Sequence, residues 1–363
     1  MSDYQVIARR YRPQQFNQVL GQRIAVYGLW YGLQQGKVPH AYLLAGMRGV
    51  GKTSLARIVA KALNCLASEH RESFPEPCGI CDNCLSIAAG KSQDVIEVDA
   101  ASNRGIDEVR EIQDRAAAKP VNANYKVFIV DEVHMLTKQA FNSLLKILEE
   151  PPRHVKFILC TTEPESLPIT VRSRCQRYNL VPVSIDKMIP YLKQVATQEG
   201  VEVDDEALKM IAVYAEGSVR DAQSLLDQLA VLGGKITVAL VREVLGAVDR
   251  TSLIDLAIYI FHRQPESALN CLLGLLDAGA APGQVLFGLQ ELLLDLAKLK
   301  AGDATSLRSV VPEEVDYPSL RDAELSRNLD VYDIIDAAAT RLTRPTHERA
   351  VVEVAILRAA TSC

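Results

Sequence analysis

No stretch of the 363-residue sequence approaches the ~18 uninterrupted apolar residues that a membrane helix needs. Met1 to Arg12 is mixed polar and basic and lacks an apolar core, so no secretory signal is expected. No internal repeat or low-complexity segment is present, and there is no lean toward disorder, with 48% hydrophobic and 23% charged residues. Neither sign of charge dominates: 40 Lys and Arg against 45 Asp and Glu leave a net −5. That balance argues against a wholesale nucleic-acid coat but permits a local basic site. The chain is too long for one compact core, so two or three domains are expected.

Cysteine is sparse but unevenly placed. Of eight, Cys160, Cys175, Cys271 and Cys363 are scattered, whereas Cys65, Cys78, Cys81 and Cys84 cluster. Cytosolic thiols stay reduced, so the cluster reads as metal ligands before disulfides. A C-x-x-C-x-x-C core can wrap a tetrahedral Zn²⁺, with Cys65 as fourth ligand. His70 is an alternative fourth ligand, and an iron–sulfur cluster is an alternative occupant. Four thiolates leave no position for water, so the site is expected to be structural.

Up to about Leu180, short apolar runs alternate with helix-like segments, the pattern of a parallel α/β sheet. Strands are expected at Ala41–Ala45, Asp94–Val98, Val127–Val130, Lys156–Cys160 and Gln176–Leu180. From Ser184 the text turns helical, with starts at Ser184, Asp204 or Asp205, Ser218 and Thr237. Further amphipathic or apolar helices follow Asp249, among them Gln284–Leu299 and His347–Ala360.

Gly46-Met47-Arg48-Gly49-Val50-Gly51-Lys52-Thr53 satisfies G-x-x-x-x-G-K-[ST], between the strand Ala41–Ala45 and a helix predicted over Ser54–Leu63. Glycines let backbone N–H groups curl around phosphate oxygens at a helix N-terminus. Lys52 is expected on the β- and γ-phosphates, and Thr53 on Mg²⁺. Val127–Val130 then ends in Asp131-Glu132, where Asp131 is placed for Mg²⁺ and Glu132 for orienting and deprotonating a water. Together these motifs predict binding and hydrolysis of a nucleoside triphosphate.

Other segments resemble the AAA+ clamp-loader ATPases. Ser173-Arg174-Cys175 resembles their SRC motif, whose arginine acts in a neighbouring subunit's nucleotide site. Thr161-Thr162 resembles sensor 1, with Thr162 favoured by counting back from that motif, and Arg220 resembles sensor 2. Ala8-Arg9-Arg10-Tyr11-Arg12-Pro13, Phe16 and Val19-Leu20-Gly21-Gln22 resemble the opening that packs around adenine in that family. The cysteine insertion after the P-loop helix resembles the bacterial gamma/tau type.

The resemblance implies three parts: an AAA+ α/β domain at 1–180 with a zinc module at 65–84, a helical lid at 181–246, and a helical collar at 247–363. It implies ATP, Mg²⁺ and Zn²⁺ as ligands. It also implies delta and delta-prime subunits, further copies of the chain, a sliding clamp and primed DNA as partners, in the cytoplasm at the nucleoid-associated replisome. Ser102 and Arg104 begin a helix of the kind that follows a DNA backbone in this family, although a capped surface helix fits the residues equally. The family's long C-terminal extension does not follow Cys363, which implies a piece of a longer chain. A helicase-like translocating motor and a nucleotide-gated scaffold remain open alternatives.

Overall fold

The computed structural model describes residues 5–67, 76–245, 250–302, 320, 324–342 and 347–362. His70, Cys363 and the boundary residues 246–249 lie outside that set. The chain divides into two compact units, Met1–Ile236 and Thr237–Cys363.

The first unit is built on five parallel strands: β1 (Ala41–Ala45), β2 (Val95–Asp99), β3 (Lys126–Asp131), β4 (Val155–Thr161) and β5 (Gln176–Asn179). Their spatial order is β2-β3-β4-β1-β5. The central strands β1 and β4 are buried throughout, and β3 is buried up to Asp131. Burial on both faces explains their unbroken apolar text. The edge strands β2 and β5 are only partly covered and correspondingly mixed.

Alternate residues serve opposite faces of the sheet. Leu43, Phe128, Val130, Phe157 and Leu159 pack against α5 (Ile106–Ala117) and α6 (Lys138–Glu149). Tyr42, Leu44, Ile129, Ile158 and Cys160 pack against α2 (Arg23–Gln34) and α3 (Lys52–Asn64). Strands β3 and β4 extend one residue beyond the expected runs at each end, and β3 thereby takes in the buried Lys126 beside the already expected Lys156 of β4. Lys126 Nζ donates to the Arg115 carbonyl at 3.2 Å and Lys156 Nζ to the Val38 carbonyl at 3.2 Å.

A short helix α1 (Ile7–Arg10) precedes this core, and α4 (Asp82–Ala88) carries Cys84, the last of the clustered cysteines; α7 (Ile169–Arg172) precedes the Ser173-Arg174-Cys175 segment. The lid comprises α8 (Ile185–Glu199), α9 (Asp205–Tyr214) and α10 (Val219–Val231). Ser184 and Asp204 sit at the N-caps of α8 and α9, and Ser218 Oγ accepts from the Asp221 amide to cap α10.

The second unit holds α11 (Val238–Leu245), α12 (Arg250–Phe261), α13 (Pro265–Asp277), α14 (Pro282–Lys300), α15 (Leu325–Arg341) and α16 (Glu348–Thr361). Helices α12 to α16 share one apolar core that includes Leu256, Leu289, Leu293, Ile335 and Ile356. Helix α11, within the 181–246 segment read as lid, falls in this second unit. Among the described residues no helix is long and apolar enough to cross a membrane.

Candidate active site

Strand order sets the site. Because β4 lies between β1 and β3, the C-terminal ends of all three stand side by side, in register Ala45 with Thr161 and Val130 with Leu159. Ligand sites of open parallel sheets form at such ends. The loop leaving β1 turns through Gly46, Gly49 and Gly51, the last two with φ of 79° and 104°. A side chain is disfavoured at those angles, which leaves the backbone free to curve into a cradle. Arg48 stands exposed at the loop, Val50 is buried in the core below it, and Thr53 and Ser54 follow Lys52 in the first turn of α3.

Lys52 is 5% exposed, and its ammonium donates to the carbonyls of Gly46 (2.9 Å) and Met47 (3.1 Å). It also lies 4.0 Å from Glu132 Oε1. Thr53 Oγ1 donates to Asp131 Oδ2 at 2.6 Å, joining the P-loop helix to the end of β3. A hydroxyl and a carboxylate side by side form an all-oxygen donor set that suits Mg²⁺.

Glu132 takes a left-handed conformation (φ 46°), rare for a residue with a side chain. Its Oε2 accepts from the Thr162 hydroxyl (3.2 Å) and amide (3.3 Å). His134 Nδ1 lies 3.0 Å from Thr161 Oγ1 and 3.5 Å from Glu132 Oε2. The sequence reading missed His134, three residues beyond Asp131 in a one-turn helix whose direction no periodicity reveals. The carboxylate is thus held by Thr162, just beyond the end of β4, while its second oxygen faces Lys52, an arrangement able to orient and deprotonate a water beside a phosphate.

The lid touches the loop directly. Arg220 N donates to the Gly49 carbonyl at 3.3 Å, and a Cβ on Gly49 would lie 1.8 Å from Ser218 Oγ. Burial, then the charge of Arg57, lowers the pKa of the Arg12 guanidinium; Arg220 and Arg9 lower it further against Glu97. Arg57 is bidentate on Glu97, at 2.7 and 2.8 Å. A polyanion among these cations would relieve their mutual repulsion. Arg57 and Glu97, 40 residues apart, also escaped the sequence reading.

Ala8, Arg12, Pro13, Val19 and Leu20 are half-buried in the opening segment, whose α1 packs on α10. Tyr11 OH donates to Glu199 Oε1 at 2.6 Å, and Gln22 exchanges bonds with the Val181 backbone at 2.7 and 3.0 Å. Arg174 belongs elsewhere: its guanidinium donates to the Thr170 carbonyl and to Glu149 Oε1, both at 2.8 Å, and to no P-loop atom. Burial pushes the adjacent Cys175 thiol up to about 12, so it acts as a packing group.

The sulfurs of Cys65, Cys78, Cys81 and Cys84 all lie within 4.8 Å of one another, with Cys78 and Cys84 3.9 Å apart. Zn–S bonds of about 2.3 Å in a tetrahedron place sulfurs about 3.8 Å apart. The cluster therefore fits Zn²⁺, with Cys65 in place to supply a fourth sulfur, while His70 lies outside the described residues. Burial raises the Cys84 and Cys65 thiols; at Cys78 the amides of Ile80 and Cys81 outweigh burial and bring the thiol to about 6.

Ser102 and Arg104 are exposed ahead of α5, but both are engaged locally. Ser102 Oγ donates to Asp99 Oδ2 and Arg104 Nε to the Ala101 carbonyl, at 2.9 and 2.8 Å. Asp107 and Glu108 occupy the first turn of that helix.

Family comparisons fall into the same segments. Residues 21–184 match the DNA polymerase III delta subunit, 188–235 the ATPase lid domain of the DNA polymerase III clamp loader subunit, and 236–363 domain III of the gamma and tau subunits. The chain is 40% identical over 301 residues to DNA polymerase III subunit gamma of Buchnera aphidicola subsp. Schizaphis graminum, covering 82% of each. It is 38% identical over 364 residues to subunit tau of Bacillus subtilis, covering 98% of this chain and 63% of that one. With subunit tau of Escherichia coli it shares 41% over 281 residues, 77% of this chain and 42% of that one. The chain thus spans about half the length of the tau relatives.

Proposed function

Because the chain belongs to the gamma and tau subunit family of DNA polymerase III, we propose that it is an ATP-hydrolysing clamp-loader subunit. The observation that carries this reading is the junction of Thr53, Asp131, Glu132 and Thr162 beside Lys52, at the adjoining ends of β1, β4 and β3.

ATP enters with its base against Ala8, Arg12, Pro13, Val19 and Leu20 and its phosphates in the amide cradle of Gly46–Thr53. Lys52 shifts from the Gly46 and Met47 carbonyls onto the β- and γ-phosphates. Thr53 and Asp131 would hold Mg²⁺, which neutralises charge on the phosphates. Glu132, oriented by Thr162, takes the proton of the attacking water. Arg220 reads the nucleotide from the first turn of α10.

Arg174 is set apart from its own chain's P-loop contacts, which supports a role in a neighbouring subunit's site. There its cation stabilises charge on the transferred phosphoryl and makes hydrolysis depend on assembly. The partners are delta and delta-prime subunits, further copies of the chain, a sliding clamp that ATP binding opens, and primed DNA that triggers hydrolysis. Ser102 and Arg104 are candidate phosphate contacts, for which each must leave its present partner. The four cysteines would hold Zn²⁺ structurally.

The test is the steady-state ATPase rate of the chain reconstituted with delta and delta-prime subunits, with and without sliding clamp and primed DNA, and with Arg174→Ala in parallel. Strong stimulation lost in the variant supports loading and the trans arginine together. A rate indifferent to the clamp removes the clamp-loader reading, and strand displacement by the reconstituted complex would favour a translocating motor.

A further inference from the structure

The stretch between Pro13 and Leu20 has little structure of its own beyond the single turn Phe16–Gln18. Among the described residues, all hydrogen bonds tying 13–20 to remoter parts of the chain end on Glu76, Pro77 or Lys61. Glu76 accepts the Phe16 amide on Oε2 (2.8 Å) and the Asn17 amide on Oε1 (3.0 Å). Gln15 Nε2 donates to the Pro77 carbonyl at 3.1 Å. Lys61, 2% exposed, donates its ammonium to Gln14 Oε1.

All three anchors belong to the surroundings of the cysteine cluster. Glu76 and Pro77 directly precede Cys78, whose own amide donates to Cys65 Sγ at 3.3 Å. Lys61 projects from α3, which packs on α4, the helix carrying Cys84. Burial lowers the Lys61 pKa, and Cys84 is the charge that counteracts it. Four thiolates around Zn²⁺ carry a net charge of about −2, so a buried ammonium is a fitting neighbour.

We propose that the cysteine cluster braces the nucleotide-base segment: Glu76, fixed in place by the metal-bound Cys78, positions Phe16 and Asn17, with Lys61 holding Gln14 alongside. Glu76 is thus a positioning residue for ATP binding, and loss of the metal weakens ATP through this segment. The inference rests on the assignment of residues 8–20 to the base.

Three readouts on the zinc-loaded chain test it: zinc content, amide exchange at Phe16 and Asn17, and the dissociation constants of ATP and tripolyphosphate. Glu76→Ala is expected to keep its zinc, to speed exchange at both amides about tenfold or more, and to weaken ATP about tenfold. Tripolyphosphate, which has no base, should bind as before. Glu76→Gln, which keeps an acceptor and the side-chain shape, should fall between. Cys84→Ser should lose zinc and reproduce the Glu76→Ala pattern. Unchanged exchange, or equal weakening of ATP and tripolyphosphate, overturns the proposal. Leu20→Asp separates two ways of failing. If it weakens ATP and Glu76→Ala does not, the brace is wrong. If neither does, the base segment itself is misassigned.

Discussion

Replacing Thr162 with valine removes the hydroxyl that donates to Glu132 Oε2 at 3.2 Å and leaves the side-chain shape intact. A hydrogen bond to a charged acceptor contributes about 1.5–3 kcal/mol when well desolvated. Glu132 is 28% exposed and keeps the Thr162 amide at 3.3 Å, so the discounted loss is about 1–2 kcal/mol. If that energy orients the carboxylate toward the attacking water, kcat falls roughly five- to thirtyfold. KM for ATP should hardly move, because the bond acts on the water and not on the bound nucleotide. Steady-state ATPase over a range of ATP concentrations gives both constants, and Thr162→Ser should restore most of the rate. A raised kcat would refute the reasoning, since Thr162 would then be restraining Glu132. A raised KM with unchanged kcat would refute it differently, by making Thr162 a ground-state contact.

Gly49→Ala puts a methyl group against Ser218 Oγ at a left-handed φ of 79°. It should cost about 1–3 kcal/mol in stability, visible as a lower Tm, and should weaken ATP. The half-exposed Glu149–Arg174 pair is worth at most about 1 kcal/mol. Glu149→Ala should therefore leave clamp-stimulated ATPase intact or raise it by no more than about fivefold, and a lost stimulation would mean that Glu149 holds Arg174 in its working position. Lys52→Ala should abolish detectable ATP binding in a fluorescent-nucleotide titration while the far-UV spectrum stays unchanged, whereas retained affinity would remove Lys52 from the phosphates.

Where function depends on a short contiguous string, the sequence was readable. The P-loop, the Asp131-Glu132 strand end and the cysteine spacing each confine their chemistry to a few positions, and the structure brings Thr53, Asp131, Glu132 and Thr162 together. Helix starts at Ser184, Asp204 and Ser218 were legible because capping is local. The start of β3 was not, since Lys126 looks like punctuation until its buried ammonium group finds the Arg115 carbonyl. Nor could spacing reveal Arg57 with Glu97, Glu76 with Phe16, or Gly49 beneath Ser218, pairs that only the folded chain brings together. Helix α11 reads with the lid in sequence because its start at Thr237 looks like the other lid helix starts, and the chain divides just before it.

The contact of the start of α10 with Gly49 has a thermodynamic consequence. Any protein or nucleic acid that tilts the lid must deform or relax the loop that receives the phosphates. By linkage, the factor by which that binder changes ATP affinity equals the factor by which ATP changes the affinity of that binder. Mutation can change either affinity by itself, but the coupling between the two is a single quantity shared by both. A substitution that loosens the Gly49 contacts with Ser218 and Arg220 is expected to weaken that coupling.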